Sequence, residues 1–416
     1  MQNGHPLRTT VLIWLAWAIV LIGFQALATA RYQPRRPDDV LSWTTSETRA
    51  GSQDDKPYLV DPFMNQQVSW DSEFYLSIAT VGYDDPAVRA ISADFYWDRS
   101  RYCVAGQDQP CYSLNYAFFP AYPYLTRLVA LPLRVLRLTP IATSTLAGVI
   151  VSLLGTLGAM LALYDLTRDE LGEAGGLRTA FYLVIFPTGF FLATIYTEGL
   201  FLGLCFGCMA LVRRKQWVWA SLLAALATWT RAGGVALIIP LGIAWLREAS
   251  GMPRSWKTWG KALLALSPVA AYLIWRYFLG TQFYLVEHNF FGRETLALNR
   301  SWQVWSEAWS LLSGSNEQTV VYYGVEFAAI ALGVVACLVT LRRYPDLSLF
   351  GLAVIVIALS SGGAQGMHRY VLAAPSVLVV LSRLGKNAVF DKGWTLLSTL
   401  LMGLYATLFA FDMWAG

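Results

Sequence analysis

Residues 141–165 read IATSTLAGVIVSLLGTLGAMLALYD, with no charge before Asp165. A run of that length crosses a hydrocarbon core of roughly 30 Å as an α-helix, with its backbone polar groups satisfied internally. Comparable apolar runs recur near 10–29, 177–195, 197–213, 216–231, 233–246, 259–279, 319–341, 347–360, 367–384 and 394–412. The reading is an all-α polytopic membrane protein, one domain over 1–416 with about eleven transmembrane helices. A large first extracytoplasmic loop (30–140) carries interfacial helices, and a second loop covers 280–318. Composition agrees, since 56% of residues are hydrophobic and 14% charged, against roughly 25% charged in a soluble domain.

Orientation follows from the short connections that hold Lys and Arg, because cytoplasmic loops carry the excess. Arg213, Arg214 and Lys215 mark one such turn, and Arg247, Arg254, Lys257 and Lys261 another. Arg342 with Arg343, and Arg383 with Lys386 and Lys392, mark two more. All four fit one threading with the N-terminus inside and the C-terminus outside, which leaves both large loops on the outer face. The net charge of +4 then reflects this bias and gives no reason to invoke nucleic acid. Arginine far outnumbers lysine, a bias of GC-rich prokaryotic genomes, so the expected location is a prokaryotic plasma membrane. The first apolar run ends in an A-x-A pattern at Ala28 and Ala30, which raises a cleavable signal peptide. Its positively charged lead-in is thin and its apolar stretch long, which favours a retained helix. Residues 216–246 must go out and return within about 31 residues, so two short helices are expected to meet at Thr230-Arg231-Ala232-Gly233-Gly234. Residues 117–137, rich in Phe and Pro, read as a re-entrant or interfacial segment.

Cys205, Cys208 and Cys337 lie in apolar runs and read as small buried hydrophobes. Cys103 and Cys111 lie in the first outer loop as CVAGQDQPC, where an oxidising compartment favours a disulfide.

The segment WDSEFYLSIATVGY (70–83) reads as an interfacial helix. At 100° per residue Trp70, Phe74, Ile78 and Val81 share a face, and Asp71 borders that stripe. Glu73 falls off the other edge of the stripe and further round, beside Ser77 and Thr80, as a solvated charge. A carboxylate held against apolar surface has a raised proton affinity, which suits Asp71 to a general base. Capping of the helix N-terminus is the alternative for Asp71. Arg231 and Arg369 sit at the outer ends of apolar runs, against the usual charge bias, and require an anion. Phosphate matches the guanidinium fork, while Asp71, Glu198 or lipid headgroups are alternatives. Glu198 lies in a very short outer turn, YTEGLF, where capping would also account for it. No phosphate-binding glycine loop, Ser/His/Asp arrangement or metal-spaced His or Cys cluster is present, and only three histidines occur.

In this order the segments resemble the PIG-V family, the second mannosyltransferase of GPI-anchor assembly, together with its prokaryotic relatives. Trp70-Asp71 through Gly82-Tyr83 is similar to the family's WD…IA..GY segment. Ala117-Phe118-Phe119-Pro120 with Tyr122-Pro123 resembles its FFPxYP element, and Tyr196-Thr197-Glu198-Gly199-Leu200-Phe201 its Y(S/T)E-LF turn. Thr230-Arg231 with Gly233 or Gly234 resembles its TR-x-x-G site, and Arg369-Tyr370 with Pro375 its late RY-P element. Two departures are Gly199, where a small hydroxyl residue is expected, and Ala232, where Pro or Ser is frequent.

The resemblance implies a GT-C-like bundle and an inverting transfer of a hexose, mannose in the family, from a polyprenyl-phosphate donor to an extracytoplasmic glycolipid, glycan or protein. It implies Asp71 as the base, with Arg231, Arg369, His368 and Tyr370 at the donor phosphate. Trp70, Glu73, Tyr83 and Glu198 are assigned to the acceptor side or to support. No metal or other cofactor is expected, because arginines replace the divalent ion that nucleotide-sugar enzymes use. The competing reading is a flippase or transporter of lipid-linked sugars. Transporters place ionisable residues near the bilayer midplane and often show paired repeats, whereas the candidates here gather on one face. A non-catalytic scaffold subunit would leave Asp71 dispensable.

Overall fold

The computed structural model describes residues 6–32, 63–93, 103, 110–250, 256–280 and 282–415. Residues 33–62, 94–102 and 104–109 of the expected first loop lie outside these, as do Arg254 and the side chain of Lys257. The described chain is helical apart from two short antiparallel strands, β1 (Ala90–Ser92) and β2 (Cys111–Ser113), with Ile91 opposite Tyr112. Cys103 and Cys111 are joined as a disulfide beside this ribbon.

The helices are α1 (Pro6–Tyr32), α2 (Ser72–Thr80), α3 (Ala121–Leu133), α4 (Pro140–Ile185), α5 (Glu198–Arg213) and α6 (Trp217–Thr230). They continue with α7 (Ile238–Ala249), α8 (Trp256–Ala265), α9 (Ser267–Ile274), α10 (Phe283–Asn289) and α11 (Leu298–Leu311). The last are α12 (Glu317–Thr340), α13 (Pro345–Leu359), α14 (Met367–Tyr370), α15 (Pro375–Leu384) and α16 (Ala388–Ala410). Among the described residues five segments are long and apolar enough to cross a membrane: Pro6–Arg31, Pro140–Ile185, Ala232–Ala249, Glu317–Thr340 and Ala388–Ala410. Thr258–Ala265 with Ser267–Leu279, bent by 42°, makes a sixth if counted as one span. The chain is thus an integral membrane protein. The remaining expected crossings are shorter apolar helices or broken ones.

Proline sets several of the breaks. The residue before proline is pushed out of the helical region by the pyrrolidine ring. Phe186 (ψ 148°) precedes Pro187 and ends α4 at Ile185, well short of the expected 195. Ala374 (ψ 98°) precedes Pro375 and divides the expected 367–384 span into α14, a 3-10 turn and α15. A straight 46-residue helix would measure about 69 Å, more than twice the bilayer core. Instead α4 kinks at Gly172, where φ is 73° and only glycine is at ease. The short hairpin occurs where expected: α6 ends at Thr230 and a 3-10 segment, Ala232–Leu237, leads into α7.

The amphipathic expectation for α2, with one apolar stripe and Glu73 in solvent, is corrected. The helix covers only Ser72–Thr80 and contacts both α3 and α4, with Tyr75, Leu76, Ser77, Ile78 and Ala79 all buried. Glu73, expected in solvent, is 8% exposed, and Val81, expected on the apolar stripe, is 56% exposed. Wedging between other elements buries nearly every face, so no single stripe marks the core side. α1 joins the core through Trp17, Ala18 and Leu21, and its Trp14 Nε1 donates to Leu153 O at 2.9 Å.

Three of the expected cytoplasmic turns converge at one end. Arg213 pairs with Asp346 at 2.9 Å, and Arg214 with Asp165 at 2.7 Å. Arg343 and Arg383 both reach Glu170, at 2.7 and 2.5 Å. Glu198 starts the same 16-residue helix that Arg213 ends, so it lies about 24 Å away along the bundle.

Candidate active site

At the end remote from these ion pairs, a cavity of about 400 Å³ gathers Asp71, Glu198, Arg231, Arg369 and Tyr370. These residues lie up to 299 positions apart in sequence, and the breaks in the apolar runs bring them together. The buried segment after Pro187 delivers Glu198 into the bundle, where it is 2% exposed, and the expected outer turn is not what surrounds it. Its Oε1 lies 2.6 Å from Arg231 Nη1 and 3.2 Å from Arg369 Nε. One carboxylate therefore serves two guanidiniums. Thr197 makes no side-chain capping bond here.

Gly199 follows for a steric reason. A Cβ there would come within 2.3 Å of Ser152 O, and one on Gly203 within 2.4 Å of Gly155 O. Small residues let α4 and α5 approach backbone to backbone, and that approach carries Glu198 inward. A second close turn aims Arg231. Arg231 ends α6 in an extended conformation (φ −163°), and a Cβ on Gly234 would come 2.4 Å from Thr228 N. Gly233 has room for a Cβ, so Gly234 is the glycine this turn requires. The Arg231 guanidinium stacks 4.5 Å from the Tyr370 ring centroid.

Arg369 is held from behind. Glu326, fully buried on α12, accepts from the backbone N–H groups of Gly366 (2.6 Å), Met367 (2.6 Å) and His368 (3.2 Å). Gly366 takes φ 78° to open that turn. His368 lies outside the cavity: its Nδ1 is 3.1 Å from Glu326 Oε1 and its Nε2 3.0 Å from Ala415 O. Neighbouring residues on a helical turn diverge by about 100°, so His368 points at α12 while Arg369 points at Glu198.

Asp71 lines the cavity and is half-buried, and it makes no side-chain capping bond to α2. Its backbone N–H donates to Tyr196 Oη at 3.3 Å. The preceding Trp70 adopts φ 53°, costly for a residue with a Cβ. Trp70 is pinned by an edge-on contact with Trp414, 4.9 Å between centroids, and its Nε1 donates to Met413 O at 3.4 Å. Tyr83 stands behind the cavity, its Oη donating to Phe118 O at 2.9 Å.

Several residues of the second outer loop enter the site unannounced by any motif. Arg293 Nη1 donates to Tyr370 Oη at 3.0 Å. Glu287 of the same loop also lines the cavity, as does Arg276 from the end of the preceding apolar run. Burial pushes the Glu287 carboxyl up to about 7, with Arg293 opposing and Asp71 adding to the shift. Glu326 could have been found in sequence, as an acid within an apolar run marks function or pairing. Among the described residues no three His, Cys, Asp or Glu side chains converge to hold a metal.

Fold and site together define a polytopic helical membrane protein with a charged interior cleft. Residues 84–248 match the family model described as Mannosyltransferase (PIG-V), so the chain carries a PIG-V mannosyltransferase-like region. Glu198 and Arg231 lie inside that stretch, and Asp71 and Arg369 outside it. GPI alpha-1,6-mannosyltransferase 2 of Cricetulus griseus is 35% identical over 149 residues, which are 34% of this chain and 29% of the relative. Among solved structures, ArnT from Cupriavidus metallidurans bound to undecaprenyl phosphate matches 82% of this chain and 59% of its own, at 12% identity and TM-score 0.44. The Archaeoglobus fulgidus oligosaccharyltransferase in the apo form matches 98% of this chain and 56% of its own, at 13% identity and TM-score 0.43.

Proposed function

We propose that this chain is a GT-C-type glycosyltransferase that moves a hexose, mannose by family likeness, from a polyprenyl-phosphate donor to an acceptor hydroxyl on the extracytoplasmic face. The observation that carries this reading is one cavity lined by Asp71 together with Arg231, Arg369 and Tyr370. Nucleophilic displacement at an anomeric carbon needs a base on the attacking hydroxyl and positive charge at the departing phosphate. Asp71 takes the hydroxyl proton, the acceptor oxygen bonds to the anomeric carbon from the face opposite the phosphate, and the C–O bond to phosphate breaks. One displacement inverts the configuration. Arg231 and Arg369 stabilise the phosphate, and Tyr370, which accepts from Arg293, orients the pair. Glu198 keeps two buried guanidiniums together in the absence of substrate, when their mutual repulsion is otherwise unrelieved. Trp70, Glu73 and Tyr83 support the acceptor side, and His368 acts on Arg369 through the shared backbone turn.

The experiment is to incubate purified protein in detergent with synthetic polyprenyl-phosphate mannose and follow release of polyprenyl phosphate. Transfer, or slow hydrolysis without an acceptor, is the expected result. Inertness towards polyprenyl-phosphate mannose, glucose and galactose alike, together with lipid-linked sugar movement across vesicles, would instead establish the transporter reading.

A further inference from the structure

The four arginines that line the cavity are not equivalent. Arg231 and Arg369 share Glu198, and Arg293 is engaged by Tyr370. Arg276 has no carboxylate within ion-pair distance among the described residues. Its guanidinium only stacks on aromatic rings, 4.4 Å from the Tyr284 centroid and 5.3 Å from that of Tyr277.

Its position is built. α9 ends in a single π-helical turn, Trp275–Leu279, and such turns re-aim side chains and recur at functional sites. Trp275 is 3% exposed and packs on Phe119 and Tyr83, while Gly280 gives its indole room. The turn is thereby anchored on its inner side. Tyr277, Phe278 and Leu279 are 62%, 77% and 56% exposed and form an outward apolar side. Arg276 lies between the two, lining the cavity beside that exposed apolar surface.

We infer that Arg276 is the entry site for the phosphate of a polyprenyl-phosphate lipid, receiving it from the bilayer before it reaches Arg231 and Arg369. This rests on the donor proposed above. A guanidinium without a carboxylate partner, flanked by rings and by exposed apolar side chains, suits an anion carried on a long hydrocarbon chain. The stacking holds the fork in place without neutralising it.

The test titrates polyprenyl phosphate, and uncharged polyprenol as control, into the full chain reconstituted in phosphatidylcholine nanodiscs. Wild type, Arg276→Gln and Arg276→Lys are compared. The expected result is about tenfold weaker binding of polyprenyl phosphate for Arg276→Gln, an intermediate loss for Arg276→Lys and no change for polyprenol. Equal polyprenyl-phosphate affinity in wild type and Arg276→Gln overturns the entry site and leaves the proposed donor standing. Failure of wild type to prefer polyprenyl phosphate over polyprenol overturns both. Competition by phosphatidylglycerol at the same molar excess as polyprenyl phosphate shows a headgroup anchor, and so overturns the inference as well.

Discussion

At the residue scale the site turns on carboxylates with different partners. Glu198 is the most constrained, and its removal makes a specific prediction. Glu198→Gln leaves two buried guanidiniums with no carboxylate between them, and breaking a buried pair costs about 3–5 kcal/mol. The variant should show a lower melting temperature than wild type. If Arg231 and Arg369 also hold the donor phosphate, added polyprenyl phosphate should raise that temperature more in Glu198→Gln than in wild type, because a phosphate replaces the missing anion. A smaller rise in the variant would show that the arginines serve Glu198 alone. Glu287 offers a prediction in pH. Its folded carboxyl titrates near 7, above the ordinary 4.5, so the unfolded chain releases this proton first. Its contribution to stability is full below about pH 4.5, declines towards pH 7 and is flat above. Melting curves of wild type relative to Glu287→Gln should show that decline. An opposite slope in this window would mean that Arg293 holds Glu287 ionised.

At the scale of elements, short irregular pieces position the site more than the long helices do. The turn that carries Arg369 is bound to Glu326 of α12, and residues 412–415 lie across both it and the approach to Asp71. Ser69 Oγ donates to Asp412 Oδ1 at 2.5 Å, Trp70 donates to Met413 O, and Trp414 Nε1 donates to Tyr322 Oη at 3.2 Å. Asp412 is fully buried. The segment after α16 thus acts as a strap joining the Asp71 wall to the Arg369 wall. Asp412→Ala should lower kcat about tenfold with little change in donor affinity, and Asp412→Asn, which still accepts from Ser69, should recover most of the rate. Equal damage from both substitutions would indicate a purely electrostatic effect of Asp412.

Across the whole molecule, the apolar runs made the polytopic helical character legible, because hydropathy is additive along the chain, while five segments, or six with the bent pair, are long and apolar enough to cross where about eleven were expected. Asp71, Glu198, Arg231 and Arg369 stood out in sequence, each as a charge at the edge of an apolar stripe or at the end of an apolar run, whereas Tyr370 entered with the late RY-P resemblance; all five line the same cavity. Other features were hidden for physical reasons. The break after Ile185 depends on one proline, which a hydropathy window averages away. The burial of Glu73 depends on α3 and α4 covering α2 from two sides, which no helical periodicity records. The second outer loop looks merely polar in sequence, and only tertiary packing aims its Glu287 and Arg293, with Arg276 from the end of the preceding apolar run, into the cavity.

The central claim is that the cavity performs glycosyl transfer with Asp71 as its base, and Asp71→Asn tests it most directly. The substitution keeps the size of the side chain and removes its proton-accepting charge. Initial rates of mannose transfer from polyprenyl-phosphate mannose should fall at least about a hundredfold in Asp71→Asn, with polyprenyl-phosphate affinity and folding retained. A near-normal rate in Asp71→Asn beside an inactive Glu73→Gln would contradict the account and move the base to the other end of the first turn of α2.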